Sequence, residues 1–276
     1  MYYINSYISF LFLIASPYVL LAGILCLVWY KWLCGKIICK KIQRKFPKNN
    51  DYLREMGYSL ITMLVFAAAH SLLLLTNARN YTQFYMNTSQ HSSLCFWLVF
   101  PLMFIIHDTY FYWTHRLMHH RRLFRYFHLV HHQSVNPSPW AAFAFHPLEA
   151  VVEAGIFPVL LITIPLTSVH LYVFFSLMMA YSIYEHLGWE LYPKGFSSNR
   201  AGKWINTSVS HNLHHQHFAG NYGLYFLFWD RLMNTLRKDY DQKFDKVAGE
   251  RESKEIIIEP GLLNRVDLST ALIGKV

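Results

Sequence analysis

Apolar and polar positions separate along this chain in whole segments, not in short alternations. Residues 7–30 carry no charge, a run long enough to cross about 30 Å of hydrocarbon as one helix. A basic stretch follows, with Lys31, Lys36, Lys40, Lys41, Arg44, Lys45, Lys48 and Arg54 against Asp51 and Glu55. Residues 57–75 and 94–113 form two more apolar runs, separated by a segment whose one basic residue is Arg79. Arg116, Arg121, Arg122 and Arg125 come directly after the third run. Lys and Arg collect in cytoplasmic loops. The pattern therefore predicts an N-terminus outside, residues 31–54 inside and residues 76–93 outside.

Residues 150–189 are apolar again, but too long for one straight helix, with Pro158 and Pro165 near the middle. They predict two helices, out and back, turning at residues 166–170. About five crossings result, with both ends of this hairpin on the basic side. From Leu236 onward the chain turns polar and charged apart from a short apolar run at residues 256–258, which predicts a cytoplasmic tail. The fold class expected is all-α: a multi-pass transmembrane helical bundle.

Composition narrows the function. Charged residues make up 15% of the chain and hydrophobic ones 54%, whereas a soluble domain averages about a quarter charged. A disordered chain is excluded. The net charge of +9 sits in short loops beside apolar runs. That placement fits an anionic membrane leaflet and not a nucleic acid. Cys26, Cys34, Cys39 and Cys95 form no CxxC pair and no disulfide-like framework.

The chemistry lies in the histidines. Of 16, seven fall between His107 and His132 and four between His211 and His217. Three boxes stand out: His115 and His119; His128, His131 and His132; His211, His214 and His215. On a helix, residues three and four apart share a face, so each box aims two or three imidazoles one way. At this chain's histidine frequency HxxHH is expected by accident roughly 0.05 times, and it occurs twice. Neutral imidazole is a ligand for zinc, iron, copper and nickel. Eight nitrogens exceed the needs of one ion and suggest two, about 3.5–4 Å apart in an ordinary two-metal site. His186 is a ninth candidate. Neither an ExxH carboxylate pattern nor HExxH accompanies the boxes, and ligand type alone leaves zinc and iron both open.

The run from Asp108 through His115-Arg-Leu-Met-His119-His120, His128-Leu-Val-His131-His132, His146-Pro-Leu-Glu149, Glu185-His186-Leu-Gly-Trp189 and His211-Asn-Leu-His214-His215-Gln-His217 resembles the fatty acid hydroxylase / sterol desaturase superfamily. Its flavour is that of C-5 sterol desaturase-like proteins. The resemblance covers about residues 95–245. It implies a membrane-bound non-haem di-iron oxygenase that spends O2 and two electrons on a lipid C–H bond, giving a hydroxyl group or a double bond. It also implies two iron ions held by His115, His119, His128, His131, His132, His186, His211, His214 and His215. Asp108, His120, His146, Glu149, Glu185 and His217 are candidates for orienting those ligands. The expected organisation is residues 1–92 as N-terminal helices with a basic loop, 93–245 as the catalytic domain with a cytoplasmic histidine-rich dimetal cap, and 246–276 as a polar tail.

The chain has no HPGG-type segment, GxGxxG run or cysteine cluster, so electrons are expected from a separate donor. That donor would be of cytochrome b5 or ferredoxin type with its reductase. A bacterial inner membrane is expected in preference to the ER. Two other readings compete. A zinc-dependent membrane hydrolase could use the same ligands. A divalent metal transporter would place its ligands near mid-bilayer, whereas here the boxes follow the spans. The aromatic runs at residues 140–145 and 222–229 fit either an interfacial belt or the wall of a lipid site. Asn87 and Asn206 begin glycosylation-type triplets.

Overall fold

The computed structural model describes residues 2–87 and 90–250, so most of the polar tail, including residues 256–258, lies outside the described residues. These residues are helical throughout, with isolated bridges in place of strands. Helix α1, Tyr2–Leu25, continues into a π-helical stretch, Cys26–Trp32. Helix α2 is Asn49–Leu75 and α3 is Ser93–Met118. These three are long and apolar enough to cross a membrane. Their apolar side chains do not all turn inward. Leu13 and Leu20 on α1, Leu60 and Leu72 on α2, and Leu98 and Ile105 on α3 are exposed. Continuous apolar surface of this kind belongs against lipid.

Local chemistry sets the helix starts. The Lys48 amide donates to Asp51 Oδ2 at 2.9 Å where α2 begins, and Cys95 N donates to Ser92 Oγ at 3.2 Å at the start of α3. Each satisfies a backbone group the first turn would leave unpaired.

After α3 come two one-turn helices, α4 (Phe124–Phe127) and α5 (Leu129–His132). Next are α6 (Pro147–Ala154), α7 (Ile156–Thr163) and α8 (Ser168–Glu185). The expected hairpin runs out and back, with its turn between α7 and α8 and a break in it. Its first leg is broken at Gly155 into α6 and α7, and α7 stops before Pro165, whose ring disfavours a helical residue ahead of it. Eight residues of α7 reach only about 12 Å. Ile156, Phe157, Leu160 and Leu161 on it are buried in the protein core. Three helices, not five, meet the length and apolarity of a span among the described residues. The broken hairpin packs behind them.

The two ends of the bundle are distinct. Gln83 N donates to the Leu161 carbonyl at 2.7 Å and Tyr85 N to that of Leu166 at 2.9 Å, so the segment after α2 meets the hairpin turn. At the other end, Ile42 N donates to Gly188 O at 3.0 Å and Glu190 N to Lys40 O at 3.3 Å. The basic stretch before α2 thus seals the exit of α8. Three helices complete the chain at this end: α9 (Ser208–His217), α10 (Phe228–Leu232) and α11 (Tyr240–Gly249).

Candidate metal centre

The histidine boxes sit on elements that meet at the basic end. His115 ends α3 and His119 follows it; α5 carries His131 and His132 with His128 just before it; His186 follows α8; α9 carries His211, His214 and His215. These nine converge, and they sort into two groups. His115, His119, His128, His132 and His214 form one; His131, His186, His211 and His215 form the other. Within each group one nitrogen per ring lies within 4.8 Å of every other. Splitting the adjacent pairs His131/His132 and His214/His215 between groups is what two ions side by side would require. Eight of the nine rings are buried, and His119 is partly exposed.

Hydrogen bonds fix which nitrogen faces inward. His115 Nδ1 contacts the Tyr222 carbonyl at 2.9 Å, and His214 Nδ1 that of Gly220 at 2.7 Å. His186 Nδ1 contacts the Ser182 carbonyl at 2.8 Å. A carbonyl can only accept, so each Nδ1 bears the proton and each Nε2 presents a lone pair. His119, His132 and His214 place their Nε2 atoms mutually 3.1 Å apart. Three neutral rings in a triangle cannot satisfy one another, since His214 has no Nε2 proton to give. In the second group His211 Nε2 lies 3.0 Å from those of His186 and His215, and His186 Nε2 lies 3.4 Å from that of His131. His115 Nε2 and His128 Nε2 are buried without a partner. Burial holds the His128, His131, His132, His211, His214 and His215 imidazoles well below the usual histidine range, and takes His119 down to about 2. All are therefore neutral, the form a metal needs. Convergent lone pairs without protons to share are the donor set of a cation site.

The carbonyls that orient His115 and His214 come from residues 220–222, and a set of buried polar groups holds that segment. Gly220 has φ +77°, and a Cβ there would lie 2.7 Å from the Thr235 carbonyl, so glycine is needed at this turn. Asp230 accepts from Tyr222 N at 2.9 Å and Gly223 N at 2.7 Å. Asp108 Oδ1 accepts from Tyr225 N at 2.8 Å and Phe226 N at 3.1 Å. Asn206 Nδ2 donates to Glu185 Oε1 at 2.7 Å and to the carbonyls of Gly223 and Leu224 at 2.9 and 3.0 Å.

Of the six candidates for orienting ligands, Glu149 touches one directly, with Oε1 2.5 Å from His128 Nδ1. Asp108 and Glu185 act one layer further out, through the 220–226 segment. The other three are not brought to the centre. His120 and His217 are exposed. His146 caps α6, accepting from Leu148 N at 3.3 Å, because the residue before Pro147 is extended and free to serve as the cap. Sequence reasoning gave no role to Asn206 beyond a glycosylation triplet, nor any to Asp230. Both are fully buried, which is incompatible with a sugar on Asn206.

Residues 100–235 match the fatty acid hydroxylase family. The chain is 30% identical to the Delta(7)-sterol 5(6)-desaturase erg3B of Aspergillus fumigatus over 203 residues, covering 73% of this chain and 58% of that protein. It is 32% identical to the Delta(7)-sterol 5(6)-desaturase ERG3A of Gibberella zeae, covering 66% and 51%. It is 28% identical to erg31 of Schizosaccharomyces pombe, covering 75% and 66%. No solved structure matches. The chain belongs to the fatty acid hydroxylase / sterol desaturase superfamily. It spans roughly half to two thirds of the length of these relatives.

Proposed function

We propose that this chain is a membrane-bound di-iron oxygenase that hydroxylates or desaturates a sterol-like or fatty acyl lipid, with O2 and two electrons from a separate carrier protein. The observation that carries the reading is the division of nine convergent histidines into groups of five and four. In the proposal the five-membered group holds one iron and the four-membered group the other. Donor spacings run from 3.0 to 3.4 Å, within reach of one ion about 2.1 Å from each nitrogen, and iron is chosen over zinc on the family and not on these spacings.

When bound, the iron pair would supply the O2 and electron chemistry that no side chain here can provide. The chain's own residues do the rest. Glu149 and the carbonyls of Gly220, Tyr222 and Ser182 hold proton-bearing Nδ1 atoms, so the opposite nitrogens stay free to bind. Phe111, with its ring centroid 5.0 Å from that of His115, and Phe145, 5.2 Å from His131, wall the centre from water on the membrane side. Lipid and O2 would approach from that side. The basic end is proposed to face the cytoplasm, supported by Lys31–Lys48 and Arg116–Arg125 lying beside the boxes, with the electron donor arriving there. The host membrane is proposed from the relatives, which are fungal proteins, and the bacterial preference drawn from sequence finds no support in them.

The test is elemental analysis with Mössbauer spectroscopy on protein purified from iron-replete cells. Two irons per chain and an O2-sensitive diferrous signal are expected. Two zincs that iron cannot displace, with no O2 reactivity, would move the chemistry to hydrolysis.

A further inference from the structure

One buried polar group on the membrane side of the metal centre has no role so far. Between α3, α6, α7 and α8 lies a chamber of ≈ 30 Å³ walled by aromatic rings, among them Phe111, Phe143, Phe145 and Phe157. Three polar side chains, His107, Ser182 and Glu153, also line it. Two of these are engaged. His107 Nδ1 lies 3.0 Å from the Tyr225 hydroxyl, and Ser182 Oγ donates to the Ala142 carbonyl at 3.2 Å. The third is not: Glu153 is 6% exposed and its Oε1 has no partner. A carboxyl left unpaired among aromatic rings costs stability. It persists most economically where a ligand completes it.

The chamber's position indicates what the ligand is. Glu153 is one turn along α6 from Glu149, which holds His128. Phe111 and Phe145, in the chamber wall, contact a histidine of each group. On the far side, a second cavity of ≈ 180 Å³ lies between α1, α2 and α8, lined by Leu13, Leu74 and Tyr172. Leu13 and Tyr172 are exposed on the apolar outer surface, so this cavity communicates with lipid. Phe175 lines both cavities, so a path between them runs past its ring. An elongated apolar molecule fits this path, with one hydrogen-bonding end in the chamber.

We propose that the chamber seats the hydroxyl group of the lipid substrate, with the alcohol O–H donating to Glu153 Oε1 and the hydrocarbon body leaving past Phe175 toward the bilayer. This rests on the oxygenase reading and sharpens it. The C–H bond presented to the metal centre is within a few carbons of a hydroxyl. A sterol and a fatty alcohol offer the same chemistry.

The experiment uses the iron-loaded full chain in lipid nanodiscs and measures equilibrium binding of four probes. They are a Δ7-sterol, its 3-O-methyl ether, octadecanol and octadecyl methyl ether. Wild type should bind an alcohol about tenfold more tightly than its ether, the effect of one buried hydrogen bond. The pair that shows the preference identifies the source. Glu153→Leu should remove the preference by weakening the alcohol alone, and Glu153→Gln, which keeps an acceptor oxygen, should retain most of it. Equal binding of alcohol and ether by wild type overturns the inference without any variant. So does a preference unchanged in Glu153→Leu. Products are scored in the same samples. An alcohol preference lost in Glu153→Leu, with no O2-dependent product from any probe, would sink the oxygenase reading while leaving the hydroxyl seat standing.

Discussion

The two histidine groups are built differently. In the five-membered group three rings have their outer nitrogens held: His115 by Tyr222, His214 by Gly220 and His128 by Glu149. In the four-membered group only His186 is held, by Ser182, while Nδ1 of His131, His211 and His215 is buried without a hydrogen bond. The first group is also the one with a partly exposed ring, His119. All four rings of the second are buried, with the Phe145 ring packed 5.2 Å from that of His131. The first site has more of its outer nitrogens fixed by hydrogen bonds than the second. Outer partners of a ligand fix its tautomer and raise its basicity, so the five-membered group should hold its ion more tightly.

The largest expected effects test whether the groups are separate. His214→Ala and His211→Ala should each abolish turnover, with metal content falling from about two ions per chain to about one. Loss of both ions from either variant would show a single shared site, and retained turnover at full metal content would refute the ligand assignment. Mössbauer spectra of the two variants should show different residual environments.

Next in size is Glu149→Gln, which removes the one carboxylate that touches a ligand. Metal affinity of the five-membered group should fall about 10–100-fold, read by chelator competition, while the other group keeps its ion. Equal weakening of both would mean that Glu149 acts on the fold and not on His128.

How much of this was legible beforehand differs between the parts. Eight of the nine histidines could be named because spacings of three and four place imidazoles on one helical face, whereas isolated His186 entered as a ligand through the family resemblance. Their division into groups could not be read, since neighbours such as His131 and His132 point into different sites, a matter of helix packing. The long spans were visible from charge-free length. The break in the hairpin was not, because apolar composition does not distinguish one continuous helix from two short ones such as α6 and α7. Asp230 and Asn206 were missed for a related reason: their partners are backbone groups distant in sequence, and no pattern of side-chain types records them.

Asn206→Ala probes that hidden layer. It removes four hydrogen bonds and strands Glu185, two carbonyls and the Thr207 amide in a buried place. The expected cost is about 2–4 kcal/mol of stability, seen as a lower Tm. The five-membered group should suffer more, because the 220–226 segment orients His115 and His214 but none of the other four. A variant that loses the second group's ion first would reverse the comparison.

The smallest effect expected is that of Lys41→Met, and it tests whether packing alone supports the segment that follows His186 of the four-membered group. Lys41 is 1% exposed and its Nζ has no hydrogen-bond partner. It sits 4.7 Å from the Trp189 ring centroid and 5.0 Å from that of Phe46. Those contacts favour the cation, yet burial pulls its pKa down to about 7, so desolvation outweighs them. Between pH 7 and about 10.4 the unfolded chain binds the proton and the folded one does not. Stability therefore rises with pH across that window, and the full penalty is present below it. Methionine has a similar length and no charge. The variant should be more stable than wild type at pH 7 by about 1 kcal/mol, a few degrees in Tm, with the advantage narrowing as the pH approaches 10. Both ions should remain. If the second ion is lost instead, the ammonium and not the packing around Trp189 holds residues 186–190 in place, and the contrast between the two groups weakens accordingly.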